Sequence, residues 1–458
     1  MRLTCIIRIF AKIFLMKIII VGAGEVGRYV AKMLANERRE VILMDENSEN
    51  LNELEANYDL MTKIGCPTSI NDLKACGIKK NIFIAVTPHE SVNITACLLA
   101  KSLGAEKTIA RVNNSEYILP ENQDFFQKMG IETLIYPEAL AASEITDLLK
   151  RGWMREYRSF GNGELSLIGV KVRENSPIIN KAFLTGFFNH NHYRIVAIKR
   201  EDKTIIPHGS DEIKPDDIVY FICPEGNEEK VRTDAGKTGM NIRKIMIMGG
   251  GKVSYTTVQN LPKDYSVKII EKDKNRCLGL VEKFPNVMII NGDGHNIELM
   301  RQEGIEDTDA FMAVTGNSET NVFACLAAKR FGVQKTIAEV EDIDYIDLAD
   351  NLDIGTIINK KLIAASNIYR CLLDEDALKV NYLTYSDALV MEYAVKKGDM
   401  ITKGCVRELI LPENVNIGGI IRDGKGFIVD GATIAQEGDH VVIFCMASSV
   451  PKMAKFFN

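Results

Sequence analysis

The chain has 458 residues, 46% of them hydrophobic and 26% charged, with 56 Lys plus Arg against 62 Asp plus Glu and a net charge of −6. That length exceeds one ordinary domain, and the composition can bury several cores. The faintly acidic balance argues against nucleic acid as a partner, since such binders carry a basic excess, and no run reaches the ~18 apolar residues of a membrane span.

The ten cysteines are scattered and form no CxxC pair. This excludes a zinc ribbon or disulfide framework and suits reduced thiols in a cytosol. Residues 1–15 are apolar but interrupted by Arg2, Arg8 and Lys12. No small-residue cleavage site follows, so they are expected to form an N-terminal extension outside the fold. A membrane-touching amphipathic arm is the alternative.

Short apolar runs then alternate with helical stretches. Ile18–Val21, Val41–Met44, Ile82–Val86, Thr108–Val112 and Thr133–Ile135 suit buried parallel strands, with helices such as Val26–Leu34 and Val92–Leu103 between them. A helical stretch, Glu138–Arg151, follows. The pattern then changes to alternating, β-branched runs at Leu165–Val172, Arg194–Lys199 and Asp217–Ile222. Lys230–Asn241, polar and with two glycines, reads as a linker.

The same order then recurs. Lys17-Ile-Ile-Ile-Val-Gly-Ala-Gly-Glu-Val-Gly27 returns as Lys244-Ile-Met-Ile-Met-Gly-Gly-Gly-Lys-Val-Ser254. Ala85-Val86-Thr87 returns at Ala313-Val314-Thr315, and Asn93 and Cys97 at Asn321 and Cys325. The offset holds at 227 to 228 residues (249 − 22, 315 − 87), which marks a duplication. A second helical stretch, Lys361–Leu373, and strands such as Leu389–Val395 and His440–Phe444 complete the copy. The expected architecture is α/β: two doubly wound Rossmann-like domains with parallel sheets, each followed by a small α+β module. The expected bounds are 16–136 for the first Rossmann-like domain and 137–235 for its crossover helix and module. The second pair is expected at 243–360 and 361–458.

The chemistry lies in the glycine loops. Gly22-Ala23-Gly24-Glu25-Val26-Gly27 is a GxGxxG directly after a strand and at a helix start, and Asp45 ends the next strand. Gly22 permits the tight turn, Gly24 lets backbone approach a pyrophosphate, and Gly27 lets the helix pack close. The helix N-terminus adds N–H donors and partial positive charge. Asp45 can accept hydrogen bonds from a ribose diol and would repel a 2′-phosphate, so NAD(H) is favoured over NADP(H). The second copy keeps Gly249 and Gly251, with Ser254 in the third position and Glu271 as the acid. Arg111 of the first copy becomes Glu339, so the first site is expected to be the better one if that position faces the phosphates.

No catalytic constellation is visible. His89 borders the nicotinamide side, but its counterpart is Asn317; His190 and His192 lack a companion ligand set for a metal. Cys97 and Cys325 read as small core residues. Arg151, Arg155 and Arg158 around Trp153 read as a solvated helix end, with a contact surface as the alternative.

This combination resembles the TrkA family, the regulatory subunits of Trk potassium uptake, built from RCK N-terminal and C-terminal domains. The likeness rests on the two loops, on Ala-Val-Thr followed by Glu90 and Asn93 or by Glu319 and Asn321, and on Asn291-Gly292-Asp293. It covers residues 17 to 458. The resemblance implies that Thr87 and Arg111 join Gly22, Gly24, Gly27 and Asp45 at a first nucleotide site. Gly249, Gly251, Glu271, Asp293 and Thr315 would line a second. Cys66 stands where the family often has the aspartate matched by Asp293, and Pro88 alters the loop after Thr87.

The implied role is that of a cytoplasmic, non-catalytic gating ring, peripheral on the inner face of the plasma membrane. It would bind NAD+ or NADH, with ATP or ADP as alternatives at one site, beneath a Trk-type potassium channel subunit. Apolar helices such as Ile94–Leu103 and Val322–Ala328 suit self-association, and fused units would close a ring as a dimer or tetramer. The rival readings are an NAD-dependent oxidoreductase and a regulator of another cation transporter.

Overall fold

In the computed structural model, which describes residues 16–457 except 37–38, 184–186, 189–190, 343, 373–376, 387 and 413, the strands group into four sheets. The N-terminal extension and His190 lie outside the described residues. Strands β1 (Ile18–Val21), β2 (Val41–Asp45), β3 (Met61–Ile64), β4 (Ile82–Ala85), β5 (Lys107–Arg111) and β6 (Thr133–Ile135) form a parallel sheet in the order β3-β2-β1-β4-β5-β6. This is the dinucleotide-fold order, with the switch point between β1 and β4. The central strands are buried on both faces, as their unbroken apolar runs dictate: Ile19 pairs with Ile42 on one side and Phe83 on the other.

The sheet of the first small module comprises β7 (Glu156–Phe160), β8 (Leu165–Lys171), β9 (Arg194–Arg200), β10 (Lys203–Ile205) and β11 (Ile218–Pro224), all antiparallel. The second half repeats the plan. Its parallel sheet is β12 (Lys244–Met248), β13 (Ser266–Glu271), β14 (Met288–Asn291), β15 (Ala310–Ala313), β16 (Lys335–Glu339) and β17 (Thr356–Ile358). Its antiparallel sheet is β18 (Ala377–Tyr382), β19 (Ala388–Ala394), β20 (Val415–Arg422), β21 (Lys425–Ile428) and β22 (His440–Met446). The expected fold class is borne out.

The halves exchange helices. The helix Pro137–Lys150, which follows the first parallel sheet, packs on the helix Lys252–Asn260 of the second half. Its Ala141, Ile145 and Leu148 share a core with Val253. Reciprocally, Lys360–Leu372 packs on Glu25–Asn36, with Leu362, Ile368 and Tyr369 in one core with Val26, Val30 and Met33. Each glycine-loop helix is therefore covered by the other half, and the hydrophobic term that fixes it lies between halves. The two antiparallel sheets also share a core, through Leu165, Leu167 and Ile222 on one side and Val390, Val442 and Phe444 on the other.

Two local readings change. Lys230–Asn241 is not all linker: Glu228–Asp234 is a helix, docked by buried Val231 and by Tyr193 Oη, which donates to Asp234 Oδ2 at 2.8 Å. A helix held by so few apolar residues looks polar in sequence. The basic residues near Trp153 do not form a solvated end. Arg155 is buried, and Arg158 is half-buried between Glu144 (2.7 Å) and Glu156 (3.0 Å). Cys97 and Cys325 are fully buried.

Candidate functional site

The first loop is shaped by backbone sterics. Gly22 has φ +100°, and a Cβ there would stand 2.8 Å from Thr87 N; one on Gly27 would stand 1.9 Å from the Gly22 carbonyl oxygen. Gly24, by contrast, has nothing within 4 Å of where a Cβ would lie, so its outer face is open to an approaching group. The helix that starts at Glu25 directs its first N–H groups into the same space.

Asp45 closes the loop from the end of β2. Its Oδ2 accepts from Ala23 N at 2.6 Å, and Oδ1 accepts from Asn47 N at 2.9 Å and Asn50 Nδ2 at 3.2 Å. The carboxylate is thus held in position with lone pairs left over for a diol. Arg28 ties the loop from behind, donating to the Ala23 carbonyl at 2.8 Å and to Asn50 Oδ1 at 3.1 Å.

Asn93, which the sequence marks in the repeat and in the family likeness but not as a site residue, holds the candidate site together. It is fully buried; Oδ1 accepts from Thr87 N (2.9 Å) and Thr87 Oγ1 (2.7 Å), and Nδ2 donates to the carbonyls of Thr87 and Arg111 (both 2.9 Å). It clamps the ends of β4 and β5, and so sets Thr87 and Arg111 side by side. The Nε of Arg111 is buried without a hydrogen-bond partner. A desolvated guanidinium N–H of this kind fits a phosphate group. Cys66 follows β3, its N–H donating to Asp72 Oδ2 at 3.0 Å and its thiol 3.3 Å from Thr68 Oγ1. His89 precedes the helix Glu90–Ser102, and its N–H donates to Thr87 Oγ1 at 3.3 Å.

The second loop holds a cavity of about 490 Å³, lined by Gly249, Gly251, Glu271, Asp293 and Thr315 together with Lys272, Arg276, His295 and Thr320. Gly249 repeats the positive φ, at +102°. Ser254 repairs the lost third glycine: its hydroxyl donates to the Gly249 carbonyl oxygen. Glu271 takes the part of Asp45, accepting from Gly250 N at 2.7 Å and Asp273 N at 2.8 Å, with Arg276 Nη1 at 3.2 Å.

Asp293 is held by His295, whose N–H lies 3.0 Å and whose Nδ1 lies 2.6 Å from Oδ1. The backbone N–H first, and the ring second, push the Asp293 carboxyl below its usual range. His295 Nε2 reaches Thr320 Oγ1 at 3.0 Å. Arg276 and His295 were missed in the sequence; their signal was position, one turn beyond Glu271 and two residues beyond Asp293.

Glu339, the counterpart of Arg111, is buried with Lys360 Nζ at 2.8 Å. Burial pulls that ammonium down, but Glu339 and Glu341 outweigh it and hold its pKa above the usual lysine range. Both loops also touch the other half. Glu25 pairs with Lys361, and Lys252 Nζ donates to the Asn113 carbonyl at 2.7 Å.

The relatives agree with this geometry. A family model described as the TrkA-N domain matches residues 18–137 and 245–360, and one described as the TrkA-C domain matches 167–235 and 390–458. The chain is 31% identical to the Trk system potassium uptake protein TrkA of Haemophilus influenzae, over 97% of this chain and 99% of that protein. It is also 31% identical to the protein of the same name from Vibrio alginolyticus, covering 94% and 95%. Among solved structures, the GsuK RCK domain superposes with a TM-score of 0.59 at 14% identity, covering 96% of this chain and 95% of that one. The GsuK channel bound to NAD gives 0.58 at 15%, covering 96% and 79%. At such identities the structural likeness concerns the fold, which is the tandem RCK arrangement. Matched in both halves by both domain models, and aligned end to end with its relatives, the chain belongs to the TrkA family.

Proposed function

We propose that the chain is a nucleotide-sensing regulatory subunit that binds NAD(H) at its first glycine loop and gates a Trk-type membrane potassium-uptake channel. The observation that carries this reading is the first loop itself: open at Gly24, closed by Asp45 on Ala23, and flanked by the orphaned Arg111 Nε. The Gly22–Gly27 loop and the helix N-terminus would hold the pyrophosphate, Asp45 a ribose diol, and Thr87 and Arg111 the outer phosphate edge. The second cavity, lined by Glu271, Asp293 and Thr315, would take NAD(H) or an adenine nucleotide such as ATP or ADP.

Gating requires that a ligand prefer one arrangement of the halves. Glu25 offers the route. It sits in the loop and pairs with Lys361 of the other half, so a pyrophosphate arriving beside it competes for that lysine. The subunit would act in the cytoplasm against the channel's inner face; among the described residues no helix is long and apolar enough to cross a membrane. Self-association into a ring, as a dimer or tetramer, is supported by Phe323, 68% exposed on the helix Ser318–Arg330.

The oxidoreductase reading would rest on His89 as the proton donor at the nicotinamide end, a role that its counterpart Asn317 does not share. Calorimetric titration with NADH, paired with absorbance at the reduced-nicotinamide band and potassium uptake in cells lacking their own regulatory subunit, tests the proposal. Binding without turnover, with uptake restored, is the expected result. Robust hydride transfer would sink it.

A further inference from the structure

A second charged cavity lies at the N-terminal ends of β16 and β17, whereas the glycine loop follows the C-terminal end of β12 in the same parallel sheet. The cavity measures about 130 Å³, and its wall carries Arg155, Lys171, Arg173, Lys237, Lys329 and Lys335. They come from three separate parts of the chain. Arg155 precedes β7, Lys171 ends β8, and Arg173 follows. Lys237 lies in the connection between halves. Lys329 and Lys335 belong to the helix Ser318–Arg330 and the start of β16.

Two carboxylates compensate part of this charge. Asp350 pairs with Arg155 and with Lys171 (3.1 Å); Asp353 pairs with Arg155, with Arg173 (2.5 Å) and with Lys329 (2.9 Å). Arg173 also pairs outward with Asp216. Lys335 is 4% exposed and has only neutral partners, the Met154 carbonyl at 2.5 Å and Thr356 Oγ1 at 2.8 Å. Lys237 is half-buried, and its ammonium has no partner among the described residues. Like charges converging on a small cavity repel one another unless an anion joins them.

The duplication supplies a control. Glu156 pairs with Gly169 in the first module as Lys379 pairs with Glu392 in the second, so Arg155 corresponds to Leu378 and Lys171 to Ala394. At the matching junction of the first parallel sheet, Lys101 pairs with Glu132 at 2.7 Å and Lys107 donates to the Cys371 carbonyl at 2.5 Å. Among the described residues, that junction closes without a cationic cluster.

We propose that this cavity is a binding site for a small multivalent oxyanion of the phosphate class, which fastens the first small module and the inter-half connection to the second nucleotide domain. The volume admits one tetrahedral anion and excludes a nucleoside. Both arginine forks are held by Asp350, Asp353 and Asp216, so the donors left for such an anion are lysine ammoniums, Lys237 first, arriving from separate parts of the chain.

The test is calorimetric titration of the full-length chain with inorganic phosphate at fixed ionic strength, with the glycine loops saturated by NADH. One phosphate site per chain is expected. Lys237→Met should weaken it about tenfold or more, as loss of a charge-assisted hydrogen bond does, and Lys237→Arg should retain it. Adenosine monophosphate should bind there no better than phosphate. Heat that appears equally with chloride at the same ionic strength would overturn the proposal. So would phosphate binding that survives Lys237→Met and Lys171→Met together. Because Lys237 lies in a half-exposed connection, its substitution leaves the folded chain available for the measurement.

Discussion

At Gly27 a Cβ would stand 1.9 Å from the Gly22 carbonyl oxygen, whereas the second half carries Ser254 in that place and turns its hydroxyl onto the Gly249 carbonyl. The same divergence runs through the charges. Arg111 keeps a buried, partnerless Nε beside the first loop, while its counterpart Glu339 is buried against Lys360. Positive charge at the second cavity comes instead from Lys272 and Arg276 on its rim. After duplication the backbone frame was kept, and the side chains around the loops were redistributed. A difference in residue identity between the halves therefore says little until its partner is known.

The largest contrast is expected where the two halves meet. Glu156 is 1% exposed, accepting from Arg158 at 3.0 Å, from Tyr220 Oη at 3.1 Å and, across the halves, from Thr384 N at 3.0 Å. Burial pushes its pKa up, and Arg158 opposes that. Arg158→Ala would leave Glu156 buried without its cation and Glu144 without its partner, at a cost of about 3–5 kcal/mol. By strand register its counterpart is Asn381, and Asn381→Ala should cost far less. Chemical denaturation of both variants measures the contrast; equal losses would show that the halves share the load evenly.

Next in size is nucleotide affinity. Asp45→Ala removes the acceptor at the first loop and should weaken NADH binding about tenfold to hundredfold, or ~1.5–3 kcal/mol. Glu271→Ala should move the same titration less. A folded Asp45→Ala chain that binds NADH like the unaltered one would move the site away from the first half.

Much of the fold is legible in the amino-acid sequence. Strands β1, β2 and β4 are buried on both faces, and each carries an unbroken apolar run bounded by turn residues. β3 and β14 are not legible. They are sheet edges, and Met61–Ile64 and Met288–Asn291 are exposed or half-exposed throughout, with no alternation to read. The apolar character of Lys360–Leu372 announces burial but not its partner, since hydrophobic burial is non-directional. At the loops, glycine spacing and Asp45 can be read because backbone sterics leave few alternatives. Arg276, His295 and the Ser254 hydroxyl cannot, because their meaning depends on atoms brought together only by folding.

Ser254 gives a smaller, local test. Ser254→Gly removes one hydrogen bond and adds helix entropy, and should cost about 1–2 kcal/mol in unfolding free energy. Nucleotide affinity at the first loop should not change. A loss of NADH affinity at both sites would mean that the loops communicate through the exchanged helices.

An effect of pH belongs to Lys335. Burial first, and the Arg155 guanidinium second, push the Lys335 ammonium down to about 7. Its unfolded value is ~10.4. Below about pH 7 the folded and unfolded chains both hold this proton, and the full cost of burying the charge is present. Between there and ~10.4 the unfolded chain holds a proton that the folded chain has released, so stability rises with pH, by at most ~1.4 kcal/mol per unit. Denaturation of the wild-type chain and of Lys335→Met at pH 7.0 and pH 8.5, in buffer free of oxyanions, isolates the slope. The wild-type chain should gain stability over that interval and the variant should gain less. Identical slopes in both would mean that the ammonium keeps its charge in the fold, held by an anion that travels with the protein or by water reaching the cavity.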